Sequence, residues 1–156
     1  MTAFLSTYVN KVDRKKRVSV PAPFRAALAG SSFAGLVVYR SLRQPAIDAF
    51  SRDVFYQLNS RHLSRSMEGD DFEQVLLGGG DSVFETIMAM AHELPFDGEG
   101  RIVIPPALAD HAGISDRATF VGRGNRFEIW APEAFRDHED RAIDALRRRI
   151  ENGGGA

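Results

Sequence analysis

The feature that most limits what this chain can fold into is a stretch that occurs twice. Val12-Asp13-Arg14-Lys15-Lys16-Arg17-Val18-Ser19-Val20-Pro21 and Phe96-Asp97-Gly98-Glu99-Gly100-Arg101-Ile102-Val103-Ile104-Pro105 both read Asp-x-x-x-Arg, then apolar-x-apolar-Pro. Asp13 and Asp97, Arg17 and Arg101, and Pro21 and Pro105 are each 84 residues apart, and the same offset relates Phe24 to Leu108 and Val37 to Val121. With one residue inserted, Ala49-Phe50 stands opposite Ala134-Phe135. An offset held over several anchors marks an internal repeat. The chain therefore reads as one module used twice, at residues 7–52 and 91–134, with a helical insert at 53–90 and a C-terminal helix at 135–151.

Periodicity fills in the elements. Thr7 to Val12 alternates as a strand does. Asp13 to Lys16 make a tight polar connection to a second alternating strand, Arg17 to Val20, which Pro21 ends because proline has no N–H for a ladder. Ala22 to Leu28 predicts a short helix with Pro23 in its first turn, Leu36 to Tyr39 a strand, and Ala46-Ile47 a last short one. In the second copy, Glu93 to Phe96 and Arg101 to Ile104 are strands about the turn Asp97-Gly98-Glu99-Gly100, and Pro105-Pro106 opens a helix that Gly113 closes. Ala118 to Val121 and Arg126 to Trp130 flank Gly122-Arg123-Gly124-Asn125 as a hairpin. Pro132 to Ile150 predicts a charged amphipathic helix. In the insert, apolar stripes at Val54-Phe55-Leu58, Phe72-Val75-Leu76 and Val83-Phe84-Ile87-Met88 recur at helical spacing, with Gly78-Gly79-Gly80 between the second and third. Such stripes serve as core or as subunit contact; Phe33, Phe55, Phe84 and Phe135 are the candidates, with core the ordinary role.

Charge is the informative part of the composition. The chain as a whole is near neutral, at −1, but residues 11–25 hold Lys11, Arg14, Lys15, Lys16, Arg17 and Arg25 against the single acid Asp13. A basic loop on a neutral body is compatible with phosphate binding. The absence of cysteine excludes disulfides, thiolate zinc sites and cysteine catalysis. The first residues are too few and too weakly apolar for a signal peptide, and no run approaches the ~18 apolar residues of a membrane span. The expectation is a cytoplasmic protein.

No catalytic constellation emerges. His62, His92, His111 and His138 stand in no ligand spacing. Asp137-His138-Glu139-Asp140 are neighbours on a helix and so point in different directions. Asp70-Asp71 suit a helix start better than acid/base work, and Gly78-Gly79-Gly80 lacks the Lys-Ser/Thr of a phosphate loop. Neither enzyme activity, cofactor, metal site nor small-molecule substrate is expected.

The doubled motif resembles the SpoVT-AbrB swapped-hairpin module, and its tandem use resembles the MraZ family of bacterial transcriptional regulators. The second copy carries the likeness most specifically: Asp97-Gly98-Glu99-Gly100-Arg101, Ala112-Gly113-Ile114, Phe120-Val121-Gly122 and Phe127-Glu128-Ile129-Trp130, within a resemblance that covers residues 4–140. It implies an α+β fold in which two swapped-hairpin β modules interlock as a pseudo-dimeric barrel, and assembly into a ring-shaped homo-oligomer. It further implies a sequence-specific, nucleoid-associated repressor. Such a protein binds G-rich direct repeats in double-stranded promoter DNA ahead of its own operon, the division and cell-wall gene cluster. One position departs from the family, whose first loop commonly reads Asp-x-Lys-Gly-Arg; here Lys16 replaces the glycine. Glycine gives a positive φ at no steric cost, so either Lys16 is strained or the turn type changes.

On this reading Arg14, Lys15, Lys16 and Arg17 form the DNA surface, with Arg17 the anchor by family correspondence. Arginine can hold guanine O6 and N7 with two hydrogen bonds; lysine more often meets phosphate. Residues 13–17 sum to +3, whereas Asp97, Glu99 and Arg101 of the second loop sum to −1, a poor phosphate ligand. Asp13, Asp97, Gly98, Gly100 and Arg101 are expected to structure the turns. Two alternatives stand beside this. Asp13 and Arg17 can pair across a merely solvated turn, or the module can be a protein-interaction unit, antitoxin-type or scaffold, with no specific DNA target.

Overall fold

The structure is a computed structural model that describes residues 3–66 and 82–153; Asp70-Asp71, the Phe72-Val75-Leu76 stripe and Gly78-Gly79-Gly80 lie outside those residues. The first copy comprises β1 (Thr7–Lys11), β2 (Arg17–Ser19), α1 (Ala22–Leu28), β3 (Gly35–Arg40) and β4 (Ala46–Phe50). Among the described residues two insert helices follow, α2 (Arg52–Ser66) and α3 (Val83–Met90). The second copy comprises β5 (His92–Pro95), β6 (Arg101–Val103), α4 (Pro106–Ala112), β7 (Arg117–Gly122) and β8 (Phe127–Trp130), and α5 (Pro132–Glu151) closes the chain.

Eight strands make two antiparallel sheets among the described residues, one six-stranded in the order β1-β7-β8-β4-β3-β5 and one a ribbon of β2 with β6. The order reads alike when the copies are exchanged. Each first strand pairs with the other copy's third, Tyr8 with Phe120 and Leu36 with Leu94, while β4 and β8 meet at the centre through Asp48 and Glu128. Within the first copy, β1 and β2 are joined by an isolated bridge, Val12–Val18, rather than a ladder.

The sheet does not close into the expected barrel. β1 and β5 remain its edges, and the ribbon is a separate sheet. Each ribbon strand is three residues long, and the ribbon cannot grow past Pro21 and Pro105, which lack the N–H another ladder bond needs. One part of the repeat alignment also fails. Ala49-Phe50 ends a strand, whereas Ala134-Phe135 lies in the first turns of α5. The structural counterpart of β4 is β8, so that likeness of dipeptides has no structural meaning.

Alternation decides what is buried. On one face of the large sheet, Leu36, Val38, Ile47, Ala49, Phe120, Phe127 and Ile129 form the main core with Phe24 of α1 and Leu108 of α4. The ribbon caps this core with Val18, Val20, Ile102 and Ile104, none more than 1% exposed. Each such side chain contributes roughly 1.5–3 kcal/mol on burial, enough to hold the ribbon, and the loops before it, at a fixed angle. The opposite face carries two smaller clusters: Val37, Tyr39 and Phe50 under Phe55 and Ile87 of the insert, and Val121 and Trp130 under Phe135 of α5. Phe55 and Phe135 are therefore core within the chain. The exposed apolar surface of α5 is the row Ile143, Leu146 and Ile150 instead.

Candidate nucleic-acid interface

The first loop is a three-residue hairpin turn of the kind that ends in a left-handed residue. Asp13 and Arg17 close it, Asp13 N–H donating to Arg17 O at 3.0 Å, with Lys16 N–H to Asp13 O at 3.0 Å inside. Asp13 is the turn's organiser. Its Oδ1 accepts the backbone N–H of Lys15 and of Arg17, both at 2.9 Å, and its Oδ2 accepts the Arg17 Nε–H at 2.7 Å. Lys16 takes φ +63°, so the turn type is kept and the lysine carries the strain. An L-residue costs about 1–2 kcal/mol in this region.

The second loop repeats this geometry. Asp97 Oδ1 accepts from the N–H groups of Glu99 and Arg101 at 2.9 Å, and Oδ2 accepts the Arg101 Nε–H at 2.8 Å. Gly100 holds φ +75°, the counterpart of Lys16, and Gly98 has no positive φ. In both loops the backbone N–H of the arginine is the leading cause holding the aspartate below its ordinary pKa of 3.8. A lowered carboxyl stabilises the turn above its ordinary pKa and loses that effect as pH falls through the lowered one. Arg17 and Arg101 thus make the same tie: the Asp13–Arg17 pairing given above as an alternative is present, and the Arg17 Nε–H is committed to the turn.

The loops sit at opposite ends of the ribbon, because β2 runs against β6 with Val18 opposite Ile102. Three residue pairs separate them by roughly 10 Å, within the ~12 Å width of a B-DNA major groove. They are also bonded across the copies: Val20 N–H donates to Gly100 O at 3.2 Å, and Ile104 N–H to Lys16 O at 2.9 Å. Arg14 and Lys15 are exposed at the apex of the first loop, and Lys16 and Arg17 are partly buried. In the second loop Arg101 faces Glu99 as well, at 3.7 Å, so its charge is met twice within the loop.

Two cations that sequence reasoning did not place in the surface join it through pairing. Arg117 lies opposite Lys11 in the β1–β7 ladder, and both are exposed beside the first loop. The only sequence signal was the basic run for Lys11; Arg117 comes from the other copy and had none. Arg25 donates its Nε–H to Val20 O at 3.0 Å and lies against Gly100.

A second polar cluster lies on the other face of the sheet, in a cleft of about 600 Å³ lined by Tyr39, Asp48, Arg123, Arg126, Glu128 and His138. Glu128 Oε1 accepts from Arg123 Nε at 2.9 Å and Trp130 Nε1 at 3.0 Å. Burial, then the Glu128 charge, pushes Asp48 above the ordinary carboxylate value, and burial first, then Asp48, pushes Tyr39 to about 12. These groups largely satisfy one another and tie β8 to β4 and the hairpin loop. Among the described residues no His, Asp and Glu side chains are grouped to hold a metal ion. His138 packs on Trp130, ring centroids 4.7 Å apart, and His111 Nε2 lies 3.1 Å from Gln44 O.

Known proteins share this arrangement of sequence. A family model described as "MraZ protein, putative antitoxin-like" matches residues 87–152. The chain is 41% identical over 141 residues to the Transcriptional regulator MraZ of Rickettsia akari (strain Hartford), an overlap of 88% of this chain and 87% of the relative. It is 43% identical over 136 residues to the protein of that name from Rickettsia rickettsii (strain Sheila Smith), covering 86% and 85%. The corresponding protein of Rickettsia bellii (strain OSU 85-389) is 40% identical over 142 residues, covering 88% and 87%.

Proposed function

Because this chain belongs to the MraZ family, we propose that it is a sequence-specific DNA-binding transcriptional regulator and not an enzyme. The observation that carries the reading is the first loop. Its one carboxylate is wholly engaged inside the turn, so Arg14 and Lys15 are presented at the apex on a rigid ribbon. Arg14, Lys15, Lys16 and Arg17 form the DNA surface, Lys11 and Arg117 extend its basic margin, and the second loop, self-neutralised by Asp97 and Glu99, contributes little charge. Arg17 serves both as the turn's tie and as the anchor at the groove.

In this reading the two copies are swapped-hairpin modules, residues 7–52 and 91–134, interlocked in one chain, with the insert at 53–90 and the helix at 135–151 as additions. The exchange of first strands between copies supports it. The protein acts as a ring-shaped homo-oligomer in the cytoplasm, associated with the nucleoid. It represses its own promoter and the division and cell-wall gene cluster by engaging G-rich direct repeats. Several weak loops on one ring gain through effective concentration, and the exposed row Ile143, Leu146 and Ile150 supplies apolar surface for assembly.

The test is fluorescence anisotropy on a duplex from upstream of the chain's own gene, against a scrambled duplex, over a salt series. The expected result is tight binding to the native duplex alone, with Lys15→Ala lowering the salt slope by about 0.9 for one lost phosphate contact. Arg14→Ala should instead narrow the preference between duplexes. Equal, weak binding to both duplexes would overturn the regulator reading in favour of a protein-interaction module.

A further inference from the structure

The two loops are built alike but held differently. Val20 is a junction at the second loop: its N–H donates to Gly100 O, and its carbonyl accepts the Arg25 Nε–H at 3.0 Å. The Arg25 side chain then crosses Gly100 so closely that a Cβ there would stand 2.7 Å from Arg25 Cδ and 2.6 Å from Nη1. Arg25 belongs to α1, whose Phe24 ring packs on Phe4, Tyr8 and Phe127 at centroid distances of 5.4, 5.5 and 4.8 Å. A strap therefore runs from the aromatic core, through α1, across the second loop. The first loop has the matching backbone bond, Ile104 N–H to Lys16 O. But the residue 84 positions after Arg25 is Ala109, which has no donor to complete a strap.

We propose that Arg25 is a positioning residue that clamps the second loop to the end of β2, a side-chain tie that the first loop lacks. The clamp fixes the end of β2 and the start of β6 together, so it sets the angle at which both loops leave the ribbon. Its consequence for DNA rests on the regulator reading; its mechanism does not.

The experiment uses the full chain, Arg25→Ala (the residue the second copy carries) and Arg25→Met, which keeps the apolar stem. Amide hydrogen exchange without DNA should show Val20 and Gly100 exchanging at least about tenfold faster in both variants. The amides of Lys15 and Arg17, held by Asp13, and those of Phe120 and Ile129 in the central sheet should be unchanged. On DNA, the affinity ratio between the upstream and scrambled duplexes should fall about tenfold with the salt slope retained. Unchanged exchange at Val20 and Gly100 overturns the clamp whatever DNA does. Equal acceleration at Phe120 and Ile129 overturns it too, as it would make Arg25 a general stabiliser. A slope lowered by about 0.9 with unaltered exchange would make Arg25 a phosphate contact instead. If the unaltered chain binds neither duplex, the regulator reading fails while the exchange result still decides the clamp.

Discussion

Replacing Lys16 by glycine should make the protein more stable and its DNA binding weaker, two effects that pull apart at one residue. Lys16 holds φ +63°, which costs an L-residue about 1–2 kcal/mol. Glycine removes that cost but adds about 0.5–1 kcal/mol of chain entropy lost on folding. Taken at the middle of each range, the balance favours Lys16→Gly by about 0.75 kcal/mol. For a chain of 156 residues, 1 kcal/mol moves the melting temperature by about 2–4 °C, so a rise of about 1–4 °C is expected. Lys16→Ala is the control, since it deletes the charge and keeps the strain, and its melting temperature should stay within about 1 °C of the parent on the same scale. Both variants should lose about 0.9 from the salt slope of binding if Lys16 meets a phosphate. Thermal unfolding by circular dichroism and anisotropy over a salt series measure the two effects separately. A Lys16→Gly protein that melts no higher than Lys16→Ala would refute the strain argument.

Two further outcomes follow from the same geometry. Gly100→Ala combines φ +75° with a Cβ placed 2.6–2.8 Å from the flexible end of Arg25, which must move aside; the left-handed strain should cost about 1–2 kcal/mol in denaturant unfolding. A loss below about 1 kcal/mol would refute the strain assigned to this position. Asp48→Asn should stabilise the fold by about 1 kcal/mol at pH 7, since burial and the neighbouring Glu128 charge oppose its carboxylate more than Arg126, 3.9 Å from Oδ1, favours it. The sign follows from the raised pKa: charging Asp48 opposes folding above its ordinary value of 3.8, and the penalty vanishes below it. The variant's advantage should therefore shrink as unfolding is repeated toward pH 4, and an advantage independent of pH would refute the assignment.

Much of the interface was legible before the fold. The two Asp-x-x-x-Arg loops, their bounding prolines and the charge contrast between them are written in adjacent residues. Lys16 in the glycine position left two outcomes open; the hydrogen bonds of the second loop, repeated atom for atom in the first, show that the strained backbone was kept. The aromatic anchor Phe4 was missed because the strand pattern begins only at Thr7. Phe4 reaches the core by a separate pair of bonds with Gly124, at 2.8 and 2.9 Å. The match of Ala49-Phe50 to Ala134-Phe135 misled because two residues carry too little pattern to tell a strand from a helix start.

The sequence by itself determined the loops and the ends of the elements, because these depend on groups within about four residues of each other: an aspartate two and four residues before the amides it accepts, and a proline that cannot donate. The tertiary structure alone decided which strands pair, that the sheet stays open, and that Arg25 crosses Gly100. An alternating strand declares which face it buries but not what covers it. That choice is made by whichever distant surface buries the most apolar area while satisfying every backbone donor, and here the best partner for each first strand lies in the other copy.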